Sequence, residues 1–169
     1  VEWFLIKHAQ KIGELVPKRI EQPYRPYVGA IVLNPEPGLH ENIAVLDFKS
    51  MYPNIMITYN LSPDTYVPLK EPTPPCGVYE APEVKHRFRK EPVGFYKEVL
   101  SHLIKVRDEI RSTMKNISPE SPEHCVFDAR QKAVKVITNA SYGYAGWVGA
   151  RWYIKPVAEA ATAWGRHTI

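Results

Sequence analysis

The stretch GFYKEVLSHLIKVRDEIRSTMKN, residues 94–116, carries Phe95, Val99, Leu103, Val106, Ile110 and Met114 at steps of three or four. That spacing lines one face of a helix with apolar side chains and leaves the charges on the other. ISPESPEHC breaks it with two prolines, and FDARQKAVKVITNASYGYAG, residues 127–146, reads as a second helix running into glycines. Two long helices with a short break between them predict an antiparallel helical hairpin. On the second helix Ala133, Val136, Ile137 and Ala140 read as an apolar stripe, and Gln131, Lys135, Asn139 and Tyr142 as a polar one. On the first, Arg107 and Arg111 project together. If the polar faces meet at a cleft, Arg107, Arg111 and Lys135 bring three cations to it, a set suited to a triphosphate. The same spacing describes two solvated helix faces, which is the commoner arrangement.

Upstream, VLDFKSMYPNIMI, residues 45–57, begins as a buried strand and then meets Asp47, Tyr52 and Pro53. An acid at the end of an apolar strand is costly to bury unless it is paired or ligates a metal. A hard dication such as Mg²⁺ prefers carboxylate, carbonyl and phosphate oxygens. An exposed Asp47 capping the following turn explains the acid equally well. Tyr52 and Pro53 by themselves read as an ordinary tyrosine and a helix-initiating proline.

The rest of the chain supplies context. Residues 1–16 read as a helix through Leu5, Ala9, Ile12 and Val16. Tyr27–Leu33 and Ile43–Phe48 read as two strands joined by a long loop, and Asn54 onward as a short helix. The proline-rich span 62–92 is expected to be largely irregular, with a short strand near Val78 and Tyr79. GARWYIK suggests a strand and VAEAATAWGRHTI a last helix. The fold class is therefore α/β (α+β), a sheet with packed helices plus the hairpin.

With 169 residues the chain has the size of one domain, and a net charge of +4 is compatible with a polyanionic partner. Two cysteines, Cys76 and Cys125, point to a reducing, cytoplasmic compartment. No run of about 20 apolar residues predicts a membrane span. The scattered histidines have no convincing zinc-ligand spacing. The first residue is not Met, so an excised piece of a longer chain is expected.

Taken together, the motifs carry a resemblance. DFKSMYPNIM, residues 47–56, resembles the first polymerase motif of family B DNA polymerases, D-x-x-S-L-Y-P-S-I, and KVITNASYG, residues 135–143, resembles the second, K-x-x-x-N-S-x-Y-G. Their order and their separation of about ninety residues also agree, and VEWFLIKHA, NLSPDTY, APEVKHRFRK and the AEAATAWGR segment are similar to the archaeal branch. The resemblance implies a palm over residues 1–93, fingers over 94–145 and a return to the palm over 146–169. It implies that Asp47 is catalytic and binds metal with the Phe48 carbonyl. It implies two Mg²⁺ ions shared with aspartates of a third motif, Y-x-D-T-D-S, which residues 1–169 do not contain. The implied nucleotide site comprises the amides of Ser50 and Met51, Tyr52 under the sugar, Arg107, Arg111 and Lys135 on the phosphates, Asn139 near the sugar, and Tyr142 and Gly143 at the nascent base pair. The implied partners are primer–template DNA, a deoxynucleoside triphosphate, the remaining chain or a partner polypeptide carrying the third motif and thumb, and a sliding clamp. Departures are Asn54 and Ala140 where Ser is usual and Arg111 where Lys is usual. Relatives often pair a cysteine near position 89 with one near 76; Arg89 here argues against that disulfide. A non-catalytic, polymerase-like module that binds nucleic acid or organises a complex is the alternative.

Overall fold

The computed structural model describes residues 1–20 and 22–169. Helix α1, Glu2–Ile12, buries Leu5 and Ala9 and stops at Gly13. Gly13 is left-handed at φ 76°, and the Glu14 amide reaches back to the Ala9 carbonyl at 2.8 Å. This is the usual glycine exit from a helix. The spacing of 1–16 thus marks the helix correctly but overruns it.

The strands expected over Tyr27–Leu33 and Ile43–Phe48 are absent: residues 22–49 form no strand. Val45 is 87% exposed and Leu46 95% exposed, so the stretch leading to Asp47 is not core. An apolar run bounded by turn residues records what a segment can pair with, but a strand forms only beside another strand, and among the described residues neither segment meets one.

Helix α2, Met51–Thr58, starts two residues before Pro53, which sits in its first turn where no amide is needed. The proline-rich span is mostly irregular, as expected, and holds a small antiparallel sheet. Strands β1, Tyr66–Val67, β2, Val78–Glu80, and β3, Arg87–Arg89, lie in the order β1-β3-β2. Phe88 faces Tyr66 on one side and Tyr79 on the other and is fully buried. Both cysteines are unbridged.

Asn60 ties this sheet to the helices. Its amide donates to the carbonyls of Arg89 and Pro92, each at 2.9 Å, and its side-chain oxygen accepts from the Gly94 amide at 2.8 Å. The side chain is completely buried, and the backbone is left-handed at φ 52°. Asn60→Ala would leave the buried Gly94 amide and two partly buried carbonyls without this partner, and keep a conformation that alanine disfavours. Its expected cost is about 2–4 kcal/mol, read as a lower denaturant midpoint at unchanged m-value; a loss below about 0.5 kcal/mol would refute this role.

Helix α3, Phe95–Met114, and helix α4, Pro122–Ala145, form the hairpin. Arg107 bonds Gln131 across it, and His124 near its start lies by Met114 near the end of α3, so the two run antiparallel. Ser121 caps α4 by accepting the His124 amide at 3.1 Å, and Pro122 follows in the first turn. The apolar stripe expected on α4 is displaced. Val136 is 66% exposed, and Ala133 and Ala140 are also exposed. Thr138, Ser141, Tyr144 and Ala145 are buried instead, with Val134 and Ile137 partly so. Thr138 and Ser141 tolerate burial because their hydroxyls bond carbonyls one turn back, Val134 at 2.7 Å and Ile137 at 2.8 Å.

Turns occupy residues 146–152, so the strand expected in GARWYIK is also absent; Lys155 already begins helix α5, Lys155–Thr168. The alanines of α5 at 158, 160, 161 and 163 are fully buried, and their small size lets the helix pack closely. Ala160 and Ala161 belong to the same core cluster as Met56, Phe88 and Tyr96. The fully buried residues of the hairpin lie toward its base, in α3 up to Leu103 and in α4 from Thr138 onward. Among the described residues, no helix is long and apolar enough to cross a membrane.

Candidate nucleotide-binding site

A cleft of about 610 Å³ opens where residues 47–53 face the hairpin. Asp47, Phe48, Lys49, Ser50, Met51, Tyr52 and Pro53 form one wall. Arg107 and Arg111 enter from α3, and Lys135 and Asn139 from α4. The polar faces of the two helices therefore do meet a common space. A second cavity, of about 410 Å³ and lined by Arg25, Tyr66, Tyr153 and Lys155 among others, shares no residue with this cleft.

The electrostatics are those of an anion site. Ser50 adopts a left-handed conformation, φ 50° and ψ 53°, and turns the chain directly into α2. The first amides of a helix have no intrahelical acceptor, and the helix dipole adds positive potential there. Pro53 has no amide, so Met51 and Tyr52 are the available donors of that turn. The Asn54 side chain donates to the Lys49 carbonyl at 2.6 Å, bracing the same turn. Asn54, which departs from the motif, thus has a local role of its own.

Two further contacts order the walls of the cleft, and neither was apparent from the sequence. Lys49 pairs with Asp108 at 3.1 Å, tying the 47–50 loop to α3. Arg107 Nε donates to Gln131 Oε1 at 3.3 Å, and Gln131 Nε2 to Asp128 at 2.9 Å, so Arg107 is oriented from α4. Asp108 has no periodic signal because its partner is distant in sequence. Gln131 stood in the polar stripe, but its partner depends on how the helices pack.

Tyr142 and Gly143 do not line the cleft. Tyr142 approaches it through Tyr52: the rings stack with centroids 4.3 Å apart and 11° between planes. Burial, and next the neighbouring Tyr27 hydroxyl, push the Tyr142 phenol well above its ordinary pKa, so it stays protonated near neutral pH. Gly143 is exposed, and a methyl group there would meet nothing within 4 Å.

Asp47 is exposed at the cleft and makes no ion pair among the described residues. Its carboxylate and the Phe48 carbonyl are hard oxygen donors of the kind a dication takes. Among the described residues, no group of three His, Cys, Asp or Glu stands ready to hold a metal. The donors fit Mg²⁺ as part of a shell that phosphate, water and other carboxylates would complete.

The model of DNA polymerase family B matches residues 1–169. DNA polymerase 2 of Aeropyrum pernix is 57% identical over 169 residues, covering 100% of this chain and 21% of that protein. The DNA polymerase of Archaeoglobus fulgidus is 54% identical over the same length, again covering 21% of the relative. The solved family B DNA polymerase of the hyperthermophilic archaeon Pyrobaculum calidifontis matches with a TM-score of 0.85 and 57% identity, over 99% of this chain and 22% of that one. The chain thus spans about a fifth of the length of these relatives. With the match running from the first residue to the last, the chain belongs to DNA polymerase family B.

Proposed function

We propose that this chain is the nucleotide-binding part of a DNA-directed DNA polymerase, which transfers deoxynucleotides to a primer 3′-hydroxyl under template direction. What supports the reading is one observation: Asp47 and Tyr52, Arg107 and Arg111, and Lys135 and Asn139, from three separate segments, line a single cleft. In this reading residues 1–93 and 146–169 belong to the palm and 94–145 are the fingers.

The incoming triphosphate lies between the start of α2 and the hairpin. The Met51 amide, with that of Ser50, donates to its phosphate oxygens. Arg107 and Arg111 present planar forks to the same oxygens, and Lys135 adds a point charge. These groups offset charge that builds on the phosphates as the bond to the leaving pyrophosphate stretches. Two Mg²⁺ ions, held by Asp47 and the Phe48 carbonyl with carboxylates from outside this stretch, would supply activation of the 3′-hydroxyl and neutralisation of the leaving group. Tyr52 lies under the sugar with Asn139 beside it, and Tyr142 and Gly143 face the nascent base pair. The outer half of the hairpin has no fully buried residue between Leu103 and Thr138. An element held mainly at its base swings at low cost, so closure of the hairpin brings Arg107 and Lys135 onto the phosphates only around a fitting nucleotide. Primer–template DNA and, in the assembled enzyme, a sliding clamp are the expected partners.

The test is a double-mutant cycle in a full-length polymerase carrying this sequence. Lys135→Ala and Arg107→Ala should each raise the nucleotide KM and lower kcat, reducing kcat/KM by about one to two decades. Because both act on one ligand, the double mutant should fall short of the sum. Additive losses, or a change confined to DNA affinity, would place these side chains on a solvated face and overturn the reading.

A further inference from the structure

Helix α5 lies behind Tyr52 and contributes nothing to the lining of the cleft. Gly165 is buried there. A methyl group at 165 would stand 3.1 Å from Tyr52 Cε1 and 3.7 Å from Cζ. The first distance is well inside ordinary carbon–carbon contact. The ring also stacks on Tyr142, with centroids 4.3 Å apart. Tyr142 in turn neighbours Tyr27. The backbone just after Tyr27 returns to α5: Thr162 Oγ1 and Arg166 Nη1 each donate to the Val28 carbonyl at 2.9 Å, and Arg166 Nη1 also to the Gly29 carbonyl at 2.6 Å. Glu83 holds the far side of the Arg166 guanidinium, with Nε donating at 3.1 Å. The series of contacts therefore begins and ends on one helix face, since residues 162, 165 and 166 are neighbours at helical spacing.

We propose that Gly165 is a positioning residue for sugar selection: its missing side chain lets Tyr52 sit back against α5, while Thr162 and Arg166 hold the Tyr27–Tyr142 support. The proposal rests on the reading of Tyr52 as the ring beneath the sugar. With Tyr142 stacked on the ring and α5 behind it, a methyl at 165 drives Tyr52 toward the cleft. A narrower pocket penalises the ribonucleotide more than the deoxynucleotide, because only the former carries a 2′-oxygen.

The experiment measures kcat/KM for dCTP and CTP, and the thermal midpoint, in the full-length polymerase with Gly165→Ala, Tyr52→Ala and both together. Gly165→Ala should raise the dCTP-to-CTP ratio by about three- to ten-fold, and should leave it unchanged when Tyr52 is already alanine. A change of equal size in both backgrounds, or an unchanged ratio with Gly165→Ala while Tyr52→Ala shifts it, overturns the positioning role alone. If Tyr52→Ala does not move the ratio, the sugar-pocket reading fails and this proposal falls with it. Should Gly165→Ala not accumulate as folded protein, recovery of the thermal midpoint by adding Tyr52→Ala supports the contact, and failure to recover refutes it.

Discussion

Asp47→Asn is expected to lower primer extension by a full-length polymerase carrying this sequence by more than about two decades, with DNA affinity within a few-fold of the parent. Asparagine keeps the shape and removes the charge that attracts a dication. Two decades correspond to about 2.7 kcal/mol of lost transition-state stabilisation, within what a cation contributes when it neutralises phosphoryl charge. The structure adds a control. Asp47 is exposed and makes no ion pair among the described residues, so the substitution should change folding stability by no more than about 0.5 kcal/mol. Single-turnover incorporation, a DNA-binding isotherm and a denaturation curve separate the possibilities. Near-normal turnover would show that Asp47 is no metal ligand; a large stability loss would show a structural role instead.

Tyr52→Ala is the second large effect, and it falls on selectivity. Ribonucleotides and deoxynucleotides differ by one oxygen. A site cannot hydrogen-bond to a group that its substrate lacks, so refusal by overlap with a rigid ring is the available physical means. Removing the ring should admit ribonucleotides and cut discrimination by a decade or more, at least about 1.4 kcal/mol in relative transition-state binding. Deoxynucleotide incorporation should fall less, since that sugar loses only a packing contact. Tyr52 is half-buried, stacked on Tyr142 and lining the cleft. The stability cost should therefore be about 1–2 kcal/mol, below the roughly 3–5 kcal/mol of a core aromatic. Single-nucleotide incorporation with each sugar, set beside the unfolding midpoint, decides it. An unchanged preference together with a core-sized stability loss would make Tyr52 packing alone.

The helical hairpin was legible in the chain because a helix is a local object. Phe95, Val99 and Leu103 recur with its period and are buried, and Gly146 caps α4 where the glycines were read to end it, although α4 begins at Pro122, five residues before the expected start. The polar stripe of Lys135 and Asn139 was legible for the same reason, and the motif beginning at Asp47 drew attention to the loop that faces it. Whether those faces met a shared space or open solvent depended on how two helices and a distant loop pack, and only the tertiary structure brought them to one cleft. It also decided which side of α4 is buried. Thr138 and Ser141 look polar in a sequence, yet they bond their own helix and go inside, while Val136 stays in solvent. The salt bridge of Lys49 with Asp108 and the stack of Tyr52 on Tyr142 join residues far apart in the chain, for which no local pattern exists. The segments 27–33 and 43–48 show the converse. Their apolar runs match a strand, but a strand takes its hydrogen bonds from a neighbour, and within this chain that neighbour is not among the described residues.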